Sequence, residues 1–333
     1  MAPLGLVGEV TAAWPVIKID HTPASRDGPL VAILLCTYQG AAFLAEQLDS
    51  IARQTHTNWT VWVSDDGSTD ATLQIVSTYR AQWGNDRLSI VRGPSAGPAY
   101  NFLTLTSLPD VQGEFFAWSD QDDIWEPQKL ERALAWLARS DAHKPMLYGS
   151  RTLLTDASGK SIGLSPLFTK PPAFANAVVQ NIAGGNTMVF NSAARALLVN
   201  AGPDPRTVAH DWWAYLLVTA CGGRMHYDPV PSIRYRQHGD NLVGSVTHPL
   251  RRLPRLRTLL RGQFKSWIDL NLELLGPVRA QMSAENVITL DRFALARQRR
   301  LPARMLALWR SGVYRQTWPG NFGLAVAALL NRL

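Results

Sequence analysis

The chain has 333 residues, 46% hydrophobic and 18% charged, an ordinary globular mixture with room for one large or two smaller domains. Its two cysteines, Cys36 and Cys221, sit in apolar stretches without CxxC or Cys/His spacing, which excludes a disulfide framework and a zinc site and points to a reducing, cytoplasmic setting. The net charge of +7 is unevenly spread: from Val246 onward there are 15 Lys/Arg against 4 Asp/Glu, so the preceding part is mildly acidic. No run reaches the roughly 18 apolar residues of a spanning helix, and the first residues lack the basic start and apolar core of a signal peptide.

In chain order, residues 1–29 carry Pro, Gly and Ser without periodicity and read as a flexible leader. "LVAILLCTY" from Leu30 is a short continuous apolar run, the mark of a parallel strand covered on both faces. "FLAEQLDSIARQT" follows with helical spacing. "NWTVWVSDD" reads as a second strand and "TDATLQIVSTYRAQW" as a second helix, with Ser68, Thr69 or Asp70 as its cap. "RLSIVRG" and "GEFFAWSD" add two more strands, and "DASGKSIG" reads as a hairpin turn, because Leu154 breaks its likeness to a phosphate-binding loop. The β-α-β-α order predicts an α/β fold with a mostly parallel open sheet and helices on both faces over 30–245. The segment 246–333 mixes Arg with Leu, Phe and Trp and predicts a basic amphipathic helical extension. It is expected either to lie on an anionic membrane surface or to pack on the preceding domain.

In such sheets ligands bind beyond the carboxyl ends of the strands. Two acidic clusters fall there: "SDDGSTD" after the second strand and "SDQDDIW" after a later one. Asp120 and Asp122 share one side of an extended segment, and paired oxygen ligands at that spacing suit Mg²⁺ or Mn²⁺ held together with substrate phosphates. The same aspartates could instead cap the helix that begins near Pro127. One glycine in "CTYQGAAF" argues against a dinucleotide-binding turn, which needs three. Nothing in the first 245 residues supports a nucleic-acid partner.

The stretches "CTYQGAAFLAEQLDSIARQTHTNWTVWVSDDGSTDAT", "FFAWSDQDDIWEPQKLE", "GGNTMVF", "HDWWAYLL" and "YRQHGDNLVG" together resemble a bacterial family 2 glycosyltransferase with the GT-A nucleotide-sugar-binding fold, in particular its rhamnosyltransferase-like subset. The resemblance covers roughly Val31 to Gly244. It implies a nucleotide site at Thr37, Tyr38, Asp65, Asp66 and Asp120, with Asp120, Asp122 and His238 as metal ligands and Arg236 and His238 on the diphosphate. It further implies an acceptor site at Gly185, Asn186 and Trp212, and Asp211 as the catalytic base. His210 stands where many relatives have an acidic residue, which leaves Asp211 the sole carboxylate of "HDWW". Asp211 would serve equally as a helix cap.

The activity so implied is inverting transfer of a sugar, with rhamnose as the first choice, from a dTDP- or UDP-sugar donor. The acceptor would be a hydroxyl of a surface-polysaccharide or lipid-linked glycan, with the enzyme cytoplasmic or peripheral on the inner membrane face. Transfer of a UDP-hexose or UDP-HexNAc by the same fold, and a non-catalytic scaffold, stand beside it as alternatives.

Overall fold

A computed structural model of the chain describes residues 27–237 and 263–333. Most of the leader and the stretch 238–262, which includes His238 and the start of the basic extension, lie outside the described residues. Strand β1 (Val31–Thr37) is buried along its whole length, as its unbroken apolar run demands. Its residues alternate between two cores: Ala32, Leu34 and Cys36 enter one apolar layer, and Val31, Ile33 and Leu35 enter the other. A strand with both faces covered is therefore the axis of the molecule.

Helix α1 (Leu44–Ala52), strand β2 (Trp59–Asp65), helix α2 (Thr72–Trp83) and strand β3 (Leu88–Arg92) follow, then helix α3 (Pro98–Ser107) and strand β4 (Phe115–Ser119). Asp70 accepts from the Thr72 N–H at 3.0 Å, while the cap position of α2 itself is Ala71. After β5 (Ile124–Trp125) come α4 (Lys129–Leu137), β6 (Met146–Ser150), β7 (Leu153–Thr155), β8 (Ser161–Leu164), α5 (Phe174–Ala177), β9 (Val189–Asn191), α6 (Ser192–Ala201), α7 (His210–Ala220), β10 (Arg224–Asp228) and β11 (Ile233–Arg236).

The main sheet has seven strands in the order β10-β6-β9-β4-β1-β2-β3. β1 is parallel to both β2 and β4, β2 to β3 and β10 to β6; β9 alone runs antiparallel to its neighbours. Helices α1 and α4 pack on one face through Leu44, Leu48, Ile51, Leu130 and Leu134, while α3, α6 and α7 cover the other. This is the open, mostly parallel sheet with helices on both faces that the β-α-β-α pattern predicts. The expected "DASGKSIG" hairpin joins β7 to β8.

A second sheet, β5-β11-β7-β8, lies past the end of β4. It pairs Ile124 and Trp125 antiparallel to Arg234 and Ile233, so the chain leaving the acidic cluster is tied at once to the segment that carries Arg236.

Helices α8 (Gln263–Leu275), α9 (Ala284–Gln298), α10 (Ala303–Ser311) and α11 (Trp318–Leu329) form the C-terminal extension. Phe264, Ile268, Phe293, Leu308 and Leu324 join the same apolar layer as Trp213 and Tyr215 of α7, so one face of the extension is packed on the sheet domain. Full burial of such a side chain contributes roughly 1.5–3 kcal/mol. Polar links reinforce the contact: Tyr314 donates its N–H to Ala175 O at 3.3 Å, and Gln316 donates to the Gln180 side chain at 2.8 Å.

Candidate active site

Strands β1 and β2 end level with one another, Thr37 opposite Asp65. Asp65 is 4% exposed and its carboxylate accepts from Thr37 Oγ1 at 2.7 Å, Gly67 N at 3.1 Å, Ser68 N at 2.8 Å and Ser68 Oγ at 2.6 Å. Four donors to one carboxylate fix its orientation, so Asp65 and Thr37 brace the turn internally. Gly67, at φ +99°, supplies the left-handed residue this bend needs. Asp66, by contrast, is partly exposed; its N–H donates to Thr37 O at 2.9 Å and one carboxylate oxygen accepts from Ser95 N at 2.9 Å. The Tyr38 ring is 58% exposed at the end of β1. An aromatic face and a carboxylate are thus presented where an open α/β sheet takes its ligand.

Gln121, the middle residue of "DQD", was assigned no role by sequence. Its amide accepts from Tyr38 N at 2.9 Å and donates to Tyr38 O at 2.8 Å, gripping the main chain of Tyr38 as a neighbouring strand would. Gly40 makes room for it, because a Cβ there would lie 2.2 Å from the Gln121 side-chain oxygen.

Beyond β4 four carboxylates share one neighbourhood. Asp120 is pushed up to about 7, first by burial and then by the charges of Asp122 and Asp211, with Lys129 opposing. Asp123 is fully buried; one of its oxygens accepts from Asn186 Nδ2 at 2.6 Å and the other has no partner among the described residues. Its carboxyl is held well above the carboxylate range by burial and then by Asp122 and Asp120. The counter-charge is Lys129, also fully buried, whose Nζ donates to Asn186 O at 2.6 Å and sits 3.3 Å from the centre of the Trp125 ring. Burial drives the Lys129 ammonium down, and Asp123 and Asp120 hold it up.

This donor set is all oxygen, short of positive charge and carries an orphaned buried oxygen, which suits a hard divalent cation. No group of three or more His, Cys, Asp or Glu is assembled into a cage among the described residues. Asp120 and Asp122 could therefore hold such an ion with water or substrate phosphates completing its shell.

Asp211 lies in the first turn of α7, whose cap position is Ala209. It is therefore not the cap residue, although a carboxylate in this turn is still favoured by the helix dipole. Its two oxygens accept from Trp212 N at 2.6 Å and Gly185 N at 3.1 Å, and the Asn181 side chain also bonds to it. Burial raises its carboxyl above the usual range and these three donors pull it back.

His210 stacks on Phe102 at 4.1 Å and meets Trp118 edge-on at 4.7 Å. Burial draws its pKa down to about 3, and its Nε2 has no partner among the described residues. A Cβ on Gly185 would fall 2.2 Å from that nitrogen.

The acceptor residues expected from sequence divide. Gly185 and Asn186 stand between Asp211 and the Asp123–Lys129 pair. Trp212 is 7% exposed with its indole N–H donated to Ala177 O at 2.7 Å, so it faces the interior and packs edge-on to Trp267 of the extension at 6.5 Å.

Arg236 is brought to the cluster, but its guanidinium is 3% exposed and engaged with Glu46 at 2.6 Å, Ala157 O at 2.8 Å and Asp122 O at 3.2 Å, over the Phe43 ring. It steadies the main chain of Asp122. Sequence reasoning missed Gln121, Asn181, Lys129 and Glu46. "PQKLE" was part of the resemblance, yet nothing local shows that its lysine is buried.

The sheet, with its ligand edge at the carboxyl ends of the strands, has the GT-A type of fold. Residues 32–195 match the family described as Glycosyl transferase family 2, and the chain carries this domain. Among curated relatives, the dTDP-rhamnosyl transferase RfbG of Shigella flexneri is 28% identical over 222 residues, 63% of this chain and 74% of that one. EpsE of Bacillus subtilis is 29% identical over 173 residues, 52% of this chain and 60% of its own length. Among solved structures, S. aureus TarS 1-349 in complex with UDP-GlcNAc superposes with a TM-score of 0.53 at 18% identity, covering 85% of this chain and 81% of that one. That likeness concerns the fold. Among the described residues no helix is long and apolar enough to cross a membrane.

Proposed function

We propose that this nucleotide-sugar glycosyltransferase is an inverting, divalent-metal-dependent rhamnosyltransferase. Its donor would be dTDP-rhamnose and its acceptor a hydroxyl of a surface-polysaccharide or lipid-linked glycan. Similarity to a dTDP-rhamnosyl transferase supports the donor. The observation that carries the mechanism is Asp211: a buried carboxylate, held by Gly185 N and Trp212 N and close enough to Asp120 for the two charges to interact.

In this reading Tyr38 and Asp66 receive the base and ribose, and Asp120 and Asp122 face the diphosphate. Mg²⁺ or Mn²⁺ held there would offset the charge of the leaving group. The acceptor hydroxyl attacks the anomeric carbon from the face opposite the diphosphate, and Asp211 takes its proton as the bond forms. Burial favours this step, since a carboxylate with a raised pKa is a stronger base than one in water.

Calorimetry with dTDP, with Mn²⁺ and then with EDTA, tests the metal, and the same titration with UDP tests the base. The expected result is cation-dependent binding of dTDP in preference to UDP, with the cation effect weakened in Asp122→Ala. Equal affinity in both conditions would remove the metal from the reading, and a preference for UDP would move the donor to a UDP-sugar.

A further inference from the structure

Helices α9 and α10 each bury one face and expose another. Leu290, Phe293 and Ala296 of α9 and Leu308 of α10 go inward. Between the outward faces runs a groove of about 590 Å³ lined by Arg292, Leu295, Arg299 and Arg310 together with Leu306 and two alanines, with no acidic residue among its walls. Leu295 is 42% exposed, Leu306 48% and Trp309, beside Arg310, 79%. Arg292 donates to Arg310 O at 3.4 Å, so the two helices hold their arginines in one array.

We infer that this face docks on an anionic phospholipid bilayer. The inward faces already account for how the extension packs, so these leucines, Trp309 and the three arginines need another partner. Guanidinium groups interleaved with exposed apolar side chains match the level of a bilayer where phosphate meets acyl chain, the position that amphipathic surface helices occupy. Charge complementarity selects the occupant: three arginines without a carboxylate in the groove attract a surface of negative headgroups and give nothing to a neutral one. The same extension bonds to Ala175 and Gln180, in the segment leading to Asn181 and Gly185, so the docking face and the acceptor side of the site belong to connected parts of the chain. This inference is independent of the donor and of the metal.

The test is cosedimentation of the full chain with neutral phosphatidylcholine vesicles and with vesicles that also contain phosphatidylglycerol. The expected result is salt-sensitive binding to the anionic vesicles alone. Each arginine near such a surface is worth about fivefold, so Arg292→Gln/Arg299→Gln/Arg310→Gln should weaken the partition by one to two orders of magnitude. A charge-matched control, Arg53→Gln/Arg139→Gln/Arg224→Gln, should bind like the parent.

Trp309→Cys in a Cys221→Ser background, carrying an environment-sensitive fluorophore, should shift to the blue on anionic vesicles. Nucleotide binding without vesicles reports whether each variant is folded and whether the donor reading holds. The inference is overturned if the groove and control variants lose binding equally, or if the groove variant binds as well as the parent. It also fails if the fluorophore stays in water, or if a single-stranded oligonucleotide displaces the protein from the vesicles.

Discussion

The two sides of the site use the same side chain in opposite ways. On the nucleotide side, Asp65 is buried and accepts four hydrogen bonds, so its charge is spent on holding a turn. On the other side, beyond β4, Asp120, Asp123 and Asp211 are crowded and have carboxyls raised by burial; Asp122 raises the first two further, Asp211 adds to the shift of Asp120, and the buried Lys129 ammonium opposes it at Asp120 and Asp123. A saturated carboxylate is scaffold. An under-satisfied one stores electrostatic free energy that a proton, a cation or a substrate can release, and such groups cluster where chemistry is done.

The largest effect expected from this contrast is on Asp211. Asp211→Asn keeps its size and can still satisfy one of the two main-chain N–H groups, but it cannot take a proton. The single-turnover rate should fall by about 10² to 10⁴ while the donor dissociation constant barely moves. A variant that transfers sugar at close to the parent rate would place the base elsewhere.

Gln121→Ala should act on the other side. It removes both bonds to Tyr38, each worth about 1 kcal/mol, so nucleotide affinity should drop by up to about thirtyfold with turnover at saturation little changed. An unaltered titration would separate Tyr38 from the nucleotide.

The smallest effect is on stability. Asp120 has a folded pKa of about 7 against 3.8 in the unfolded chain, so below pH 4 both states are protonated and the site costs nothing. Between those values the folded state keeps a proton that the unfolded state has lost, and stability declines as pH rises through the window. With EDTA present, Asp120→Asn should therefore melt higher than the parent above pH 7, by about 1–2 °C for each kcal/mol, and at the same temperature below pH 4. Differential scanning across pH decides it.

Much of the sheet was legible because its signals are local. An unbroken apolar run has to be a covered strand, and glycine with carboxylates directly after such a run marks the ligand edge. What stayed hidden depends on residues distant in sequence. Strand β5 is two residues long, so nothing in "DDIW" announces a second sheet. Lysine is rarely buried, and only the fold shows Lys129 enclosed beside Asp123 and Trp125. Arg236 beside a histidine reads as a phosphate ligand, yet its donors are engaged by Glu46, Ala157 and Asp122. The extension was read as either packed or available to a membrane because its apolar residues carry no label of face. Helical spacing with burial separates Phe293 from Leu295.

The contact between Gly185 and His210 bears on how the enzyme resets. The imidazole occupies the space a side chain on residue 185 would need, so loop and helix meet by shape. With its pKa near 3, His210 is too weak a base to accept a proton from Asp211 at neutral pH. If Asp211 is the base, as proposed, the proton it takes from the acceptor is not handed on to this imidazole, so a cycle closes only when water has carried that proton away.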